Sequence, residues 1–164
     1  MDRLDADPGL WDVVSFADST GPIQLDLKEG SAMGQGRDVL VGIDDLRGSR
    51  FDDVLLDVEG WNDIEGLGGD DVIIGGDGGD FLQGGPGDDR TEGDRGNDSL
   101  YGDKGHDHLD GGPGRDGLYN YWGGTDECVA GEVVRFLGEW RTFDPGRETG
   151  GGMGCVRSSL KESL

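Results

Sequence analysis

Apolar residues make up only 32% of this 164-residue chain and aromatic residues 7%. No apolar run approaches the roughly 18 residues that a membrane-crossing helix needs. So thin a supply of hydrophobic side chains also argues against a conventional large core, because burial alone would not offset the entropy of ordering the backbone. Basic residues are scarce too: 14 Lys and Arg stand against 36 Asp and Glu, for a formal charge of −22. Residues 129–164 hold five acidic and five basic side chains, so the whole excess lies in residues 1–128. A surface of that sign repels nucleic acid and anionic lipid, whose phosphates need Lys and Arg, and it attracts cations.

There are two cysteines, Cys128 and Cys155, and neither has a second Cys or a His at zinc-ligand spacing. Structural zinc is thereby disfavoured, while a disulfide and two free thiols both stay open. The N-terminus, Met1-Asp2-Arg3-Leu4-Asp5, lacks the basic and apolar regions of a secretory signal. The expectation is a piece of a longer secreted protein, or export by a route not visible in these residues.

What the chain does have is glycine, 35 residues of it, returning at a period of nine. From Gly66 it reads GLGGDDVII, GGDGGDFLQ, GGPGDDRTE, GDRGNDSLY, GDKGHDHLD and GGPGRDGLY, ending at Tyr119. Position four is always glycine: Gly69, Gly78, Gly87, Gly96, Gly105 and Gly114. Position six is always aspartate: Asp71, Asp80, Asp89, Asp98, Asp107 and Asp116. Position eight is apolar in five units, Ile73, Leu82, Leu100, Leu109 and Leu118, with Thr91 the exception. Weaker copies precede them, GSRFDDVLL at 48–56 with Asp53 and DVEGWNDIE at 57–65 with Asn62, so the array is expected to begin near Gly48.

The pattern resembles the RTX (repeats-in-toxin, haemolysin-type) calcium-binding family, whose repeat is GGxGxDxUx, strongly over 66–119 and fairly over 48–65. The resemblance implies an all-β, right-handed parallel β-roll. Positions one to six would form a turn and seven to nine a short strand, with two repeats to a coil. It also implies several Ca²⁺ ions, each shared by successive turns on one edge.

Elementary chemistry fits these implications. Glycines at positions one, two and four permit tight turns and leave carbonyl oxygens free to face an ion. In a three-residue strand only the middle side chain faces inward, which explains one apolar residue per unit. With two repeats to a coil, the position-six residues stack in two columns, Asp53, Asp71, Asp89, Asp107 and Asn62, Asp80, Asp98, Asp116. Two carboxylates about 5 Å apart repel by about 3 kcal/mol at an effective dielectric near 20, and a divalent cation between them reverses the sign. Carboxylate and carbonyl oxygens on flexible loops favour Ca²⁺ over zinc, copper or magnesium. The expected pairs are Asp53/Asp71, Asp71/Asp89, Asp89/Asp107, Asn62/Asp80, Asp80/Asp98 and Asp98/Asp116, the Asn62 pair being weakest. The array is expected to fold on binding calcium.

Other signals are read as incidental. His106 and His108 fall at a variable turn position and an outward strand position, as solvated side chains. Glycine stretches such as Gly76-Asp77-Gly78-Gly79 lack the lysine and helix of a nucleotide loop. No EF-hand spacing occurs. Carboxylates that recur this uniformly do not resemble an active site, which is a local exception, so the chain is read as noncatalytic.

Residues 1–47 are expected to form an irregular β cap, with strands in Val13–Phe16, Ile23–Leu27 and Val39–Ile43. The roll is placed at 48–128, with the repeat register ending at Tyr119 and GGTDECV at 123–129 similar to the terminal turn of some family members. Residues 129–164 are read as a cap, using Val133, Val134, Phe136, Leu137 and Trp140, followed by a partly disordered tail. The function so reached is calcium binding by a secreted, extracellular module. The alternative is an accessory module attached to a larger secreted enzyme, adhesin or toxin.

Overall fold

The computed structural model describes residues 3–5, 12–34, 37–41, 43–56, 59–119, 122–123, 126–129, 133–134 and 156–157. No helix occurs among them, and most strands are three residues long. Brevity follows from the repeat: glycine-rich turns bracket each apolar position, leaving only positions seven to nine to extend. The strands pair in parallel at a spacing of eighteen residues. Val54, Val72, Arg90 and His108 line up on one side, and Asp45, Asp63, Phe81, Ser99 and Gly117 on the other. Two nonapeptides therefore complete one coil, and the coils stack into a ten-stranded and an eight-stranded sheet, a parallel β-roll.

Between the sheets lies a core one side chain thick. Leu55, Ile73, Thr91 and Leu109 come from one sheet and Ile64, Leu82, Leu100 and Leu118 from the other, none more than 1% exposed. Outside, neighbouring coils are stitched by ring stacking of Tyr101 on Tyr119, 4.5 Å between centroids, and by an Arg47–Glu65 ion pair at 3.0 Å.

The roll is longer at both ends than the repeat register suggests. Upstream, Asp45–Arg47 pairs with Asp63–Glu65 at the same eighteen-residue spacing and buries Leu46 completely. The coil register thus starts one unit before Gly48. Further back, Val13–Ser15 pairs with Asp45–Arg47 and Gln24–Asp26 pairs with Val54–Leu56, both in parallel. The longer spacing there accommodates an excursion in which Ser31–Met33 runs antiparallel to both Gln24–Asp26 and Arg37–Val41. Arg3–Asp5 then adds in parallel to Arg37–Val41.

Downstream, the expectation that the register ends at Tyr119 is corrected. Glu127–Val129 pairs with His108–Asp110 at a spacing of nineteen, and Cys128, 3% exposed, takes the core position above Leu109. Trp122–Gly123 stacks on Lys104–Gly105. Pairing runs at eighteen residues through Gly123 and at nineteen from Glu127, so the count shifts by one between them. Val133–Val134 and Val156–Arg157 add a strand to each sheet, the latter beside Glu127–Cys128. Phe136, Leu137, Trp140 and most of the tail lie outside the described residues.

The turns stack as tightly as the strands. Position two takes a positive φ in all six strong units, including the non-glycine residues Leu67 (80°), Asp94 (64°) and Asp103 (69°). Position four is constrained by proximity: a methyl on Gly96 would lie 1.7 Å from the Gly78 carbonyl oxygen, whereas one on Gly21 meets nothing within 4 Å. Gly96→Ala should therefore destabilise the calcium-saturated roll by about 3 kcal/mol, and Gly21→Ala by less than about 0.5 kcal/mol, as read by urea unfolding. Thr91 supplies a second expectation, since its hydroxyl is buried in the core without a hydrogen-bond partner. Replacing it by the isosteric Val removes that desolvated group, so Thr91→Val should gain about 1 kcal/mol in the same measurement.

Candidate metal centre

The position-six side chains come together as the spacing predicts. Asp53, Asp71, Asp89 and Asp107 stack on one edge of the roll and Asn62, Asp80, Asp98 and Asp116 on the other, none more than 7% exposed. They form ladders. The Oδ1 atom of each aspartate accepts a hydrogen bond from the backbone N–H of the position-six residue one coil earlier. These bonds measure 2.8–3.1 Å and join Asp53 to Asp71, Asp71 to Asp89, Asp89 to Asp107, Asn62 to Asp80, Asp80 to Asp98 and Asp98 to Asp116.

The second carboxylate oxygen is different. In Asp71, Asp89, Asp98 and Asp116, Oδ2 is buried and has no hydrogen-bond partner. It is tucked beneath the turn of its own unit, so that a methyl on Gly66 would overlap Asp71 Oδ2 and one on Gly93 would lie 2.6 Å from Asp98 Oδ2. A side chain at position one would fill the cradle that this oxygen faces. The position-four glycines stack in two columns of their own, Gly69–Gly87–Gly105 and Gly78–Gly96–Gly114. Within each column the carbonyl oxygen of one glycine lies against the α-carbon of the next.

A buried anionic oxygen without a donor is costly, and the titration of these groups reflects it. Burial pushes Asp89 up to about 8 and Asp71 and Asp98 to about 7. The backbone N–H bonds pull the other way, and neighbouring aspartates add to the rise. Asp116 and Asp126 are raised for the same first cause. These oxygens call for a positive partner, either a proton or a cation. The donor set is all oxygen, and no cluster of three or more His, Cys, Asp or Glu side chains suited to a metal occurs among the described residues. The chemistry fits Ca²⁺, which accepts backbone carbonyls alongside carboxylates, and it does not fit zinc.

The structure adds residues that the repeat register passed over. Asp126 joins the first column, 3% exposed, its Oδ1 accepting the Asp107 N–H at 2.9 Å. At the other end of the second column Asp12 donates its N–H to Asp44 Oδ2 at 3.2 Å, the same motif before the array proper. A parallel exposed ladder runs at position five, where the N–H groups of Asp70, Asp88 and His106 bond the carboxylates of Asp52, Asp70 and Asp88. The doubled Asp-Asp in three units was its only sequence signal. His108 faces outward, 3.3 Å from Glu127.

Raised folded-state values fix the sign of the pH dependence. The metal-free roll gains stability as pH falls, fully so below the unfolded aspartate value near 3.8, and loses it as pH rises through about 7–8. A cation held by these oxygens would compete with their protons. Calcium binding at pH 7 should therefore release protons, seen as a buffer-dependent heat in calorimetry, and the calcium midpoint should rise between pH 8 and pH 5.

The chain matches the model of the RTX calcium-binding nonapeptide repeat, in four copies, over residues 58–91 and 83–118. No curated protein matches it significantly. Within the matched residues strands pair at eighteen, and six of the ladder aspartates, Asp71, Asp80, Asp89, Asp98, Asp107 and Asp116, lie there. Residues 58–118, a little over a third of the chain, are thus similar in sequence to the RTX calcium-binding nonapeptide repeat.

Proposed function

We propose that the chain is a noncatalytic, extracellular calcium-binding module whose coils fold as they take up several Ca²⁺ ions. The observation that carries this reading is the set of buried, donorless Oδ2 atoms on Asp71, Asp89, Asp98 and Asp116. Each needs a positive partner, and each lies in a column with another carboxylate one coil away.

In this reading the pairs Asp71/Asp89, Asp89/Asp107, Asp80/Asp98 and Asp98/Asp116 hold the ions together with turn carbonyls, among them those of Gly69, Gly78, Gly87, Gly96, Gly105 and Gly114. Asp126 lengthens the first column. Asn62 puts an uncharged amide, its Nδ2 buried without a partner, where the column elsewhere has a carboxylate, so the Asn62/Asp80 pair binds least tightly. Calcium supplies the countercharge when bound, while the protein's own residues fix the spacing and exclude water.

Coupling to folding follows from the thinness of the core. Each nonapeptide contributes one core side chain, at position eight, against nine ordered backbones, so metal affinity becomes folding free energy. Extracellular calcium sites commonly have dissociation constants of about 10⁻⁴–10⁻³ M, which keeps such a chain unfolded until export. Cys128 is disulfide-bonded, a state that belongs to oxidising compartments. That observation favours a location outside the cytosol.

Circular dichroism in EGTA and then in millimolar Ca²⁺ tests the proposal, with calorimetric titration alongside. The β signal should grow on calcium addition together with multi-ion binding heat. An unchanged β signal in EGTA would sink calcium-dependent folding.

A further inference from the structure

One carboxylate in the two columns already has its charge answered. Asp53 opens the first column, yet its Oδ1 accepts the Ile23 N–H at 2.7 Å and the Ser49 hydroxyl at 3.0 Å, and its Oδ2 accepts the Ser49 N–H at 2.5 Å. Ser49 is fully buried, and its hydroxyl oxygen also accepts the Phe51 N–H at 3.2 Å, closing the turn of that unit. Asp71 and Asp89, directly above in the same column, each keep an Oδ2 with no donor at all. Where the turns of Asp71 and Asp89 present a carboxylate oxygen to a glycine-lined cradle, this turn presents it to protein hydrogen-bond donors.

The same end of the molecule carries half of the buried apolar core among the described residues. Val14, Ile23, Leu25, Ala32, Leu40, Leu46 and Leu55 are all buried within residues 14–55, and Phe16, Leu27 and Ile43 pack against them. Residues 66–119 bury only Ile73, Leu82, Leu100, Leu109 and Leu118 over a longer stretch. The N-terminal end also contains the antiparallel pairings of Ser31–Met33 with its two neighbours, contacts that close over short separations and so cost little loop entropy.

We propose that residues 12–56 form a metal-independent template, locked by a Ser49–Asp53 clasp, on which the calcium-dependent coils of 66–119 assemble. The proposal rests on the calcium reading of those coils and adds a direction to their folding. It also reassigns Asp53: the carboxylate that heads the column is a structural acceptor, saturated by Ser49 and Ile23, and gives no oxygen to a metal. An open solenoid end needs a cap to template pairing, and here the cap carries its own answer to the charge of the first aspartate.

Hydrogen exchange read by mass spectrometry on the full chain, in EGTA and in millimolar Ca²⁺, tests this. In EGTA, peptides across 23–33 and 48–56 should stay protected while those across 66–119 exchange as unfolded chain, gaining protection only with calcium. Ser49→Ala should lower the EGTA protection of 48–56 by about tenfold, the worth of a hydrogen bond to a charged group. If 48–56 exchanges in EGTA as fast as 66–119, the template is overturned. If Ser49→Ala leaves its protection unchanged, the clasp is overturned. Absence of calcium-induced protection across 66–119, with 48–56 still protected, would overturn the calcium reading instead and leave the N-terminal unit with no calcium-dependent coils to template.

Discussion

A buried carboxylate oxygen without a hydrogen-bond donor is the constraint on which the roll depends. Folding places Asp71, Asp89, Asp98 and Asp116 out of water and satisfies one oxygen of each through the N–H of the coil before it. The other oxygen is left facing a glycine-lined cradle. Such a state is unfavourable unless something positive enters. The same hydrogen bonds that lock the coils in register also aim the remaining oxygens, so structural order and cation demand arise from one arrangement.

The glycine columns and the thin core are consequences of that arrangement. Coils can share ligands only if the turns approach closely, and the approach at Gly96 and Gly78 leaves no room for a Cβ. Turns this tight leave three residues for each strand and one inward side chain for each unit. The resulting core is contiguous but spare, which is why the fold leans on its edges as much as on its centre. Asp53 shows the alternative solution: at the head of the column, a serine of its own turn and the backbone amide of Ile23 supply the donors.

Most of this was legible in the sequence because the period carries the fold. Six aspartates at one phase placed the two columns, and the inward position was readable from Ile73, Leu82, Leu100, Leu109 and Leu118. Illegible features share one cause, dependence on something other than the period. Asp126 was passed over because one inserted residue breaks the count, while Glu127–Val129 still pairs with His108–Asp110 in the structure. The unit of Leu46 keeps too little of the repeat to be recognised, though it pairs at the same spacing. The antiparallel strand Ser31–Met33 has no alternating pattern of its own and is held by its two neighbours. The third donor to Asp53 is the N–H of Ile23, thirty residues away, and no local motif announces it.

The most direct test of the central claim is a crystal structure of the calcium-saturated protein. The account predicts cations at about 2.3–2.6 Å from the Oδ2 atoms of Asp71, Asp89, Asp98 and Asp116, with backbone carbonyls of the adjoining turns completing each shell. A roll that forms fully in calcium while those four oxygens remain without a cation would contradict it.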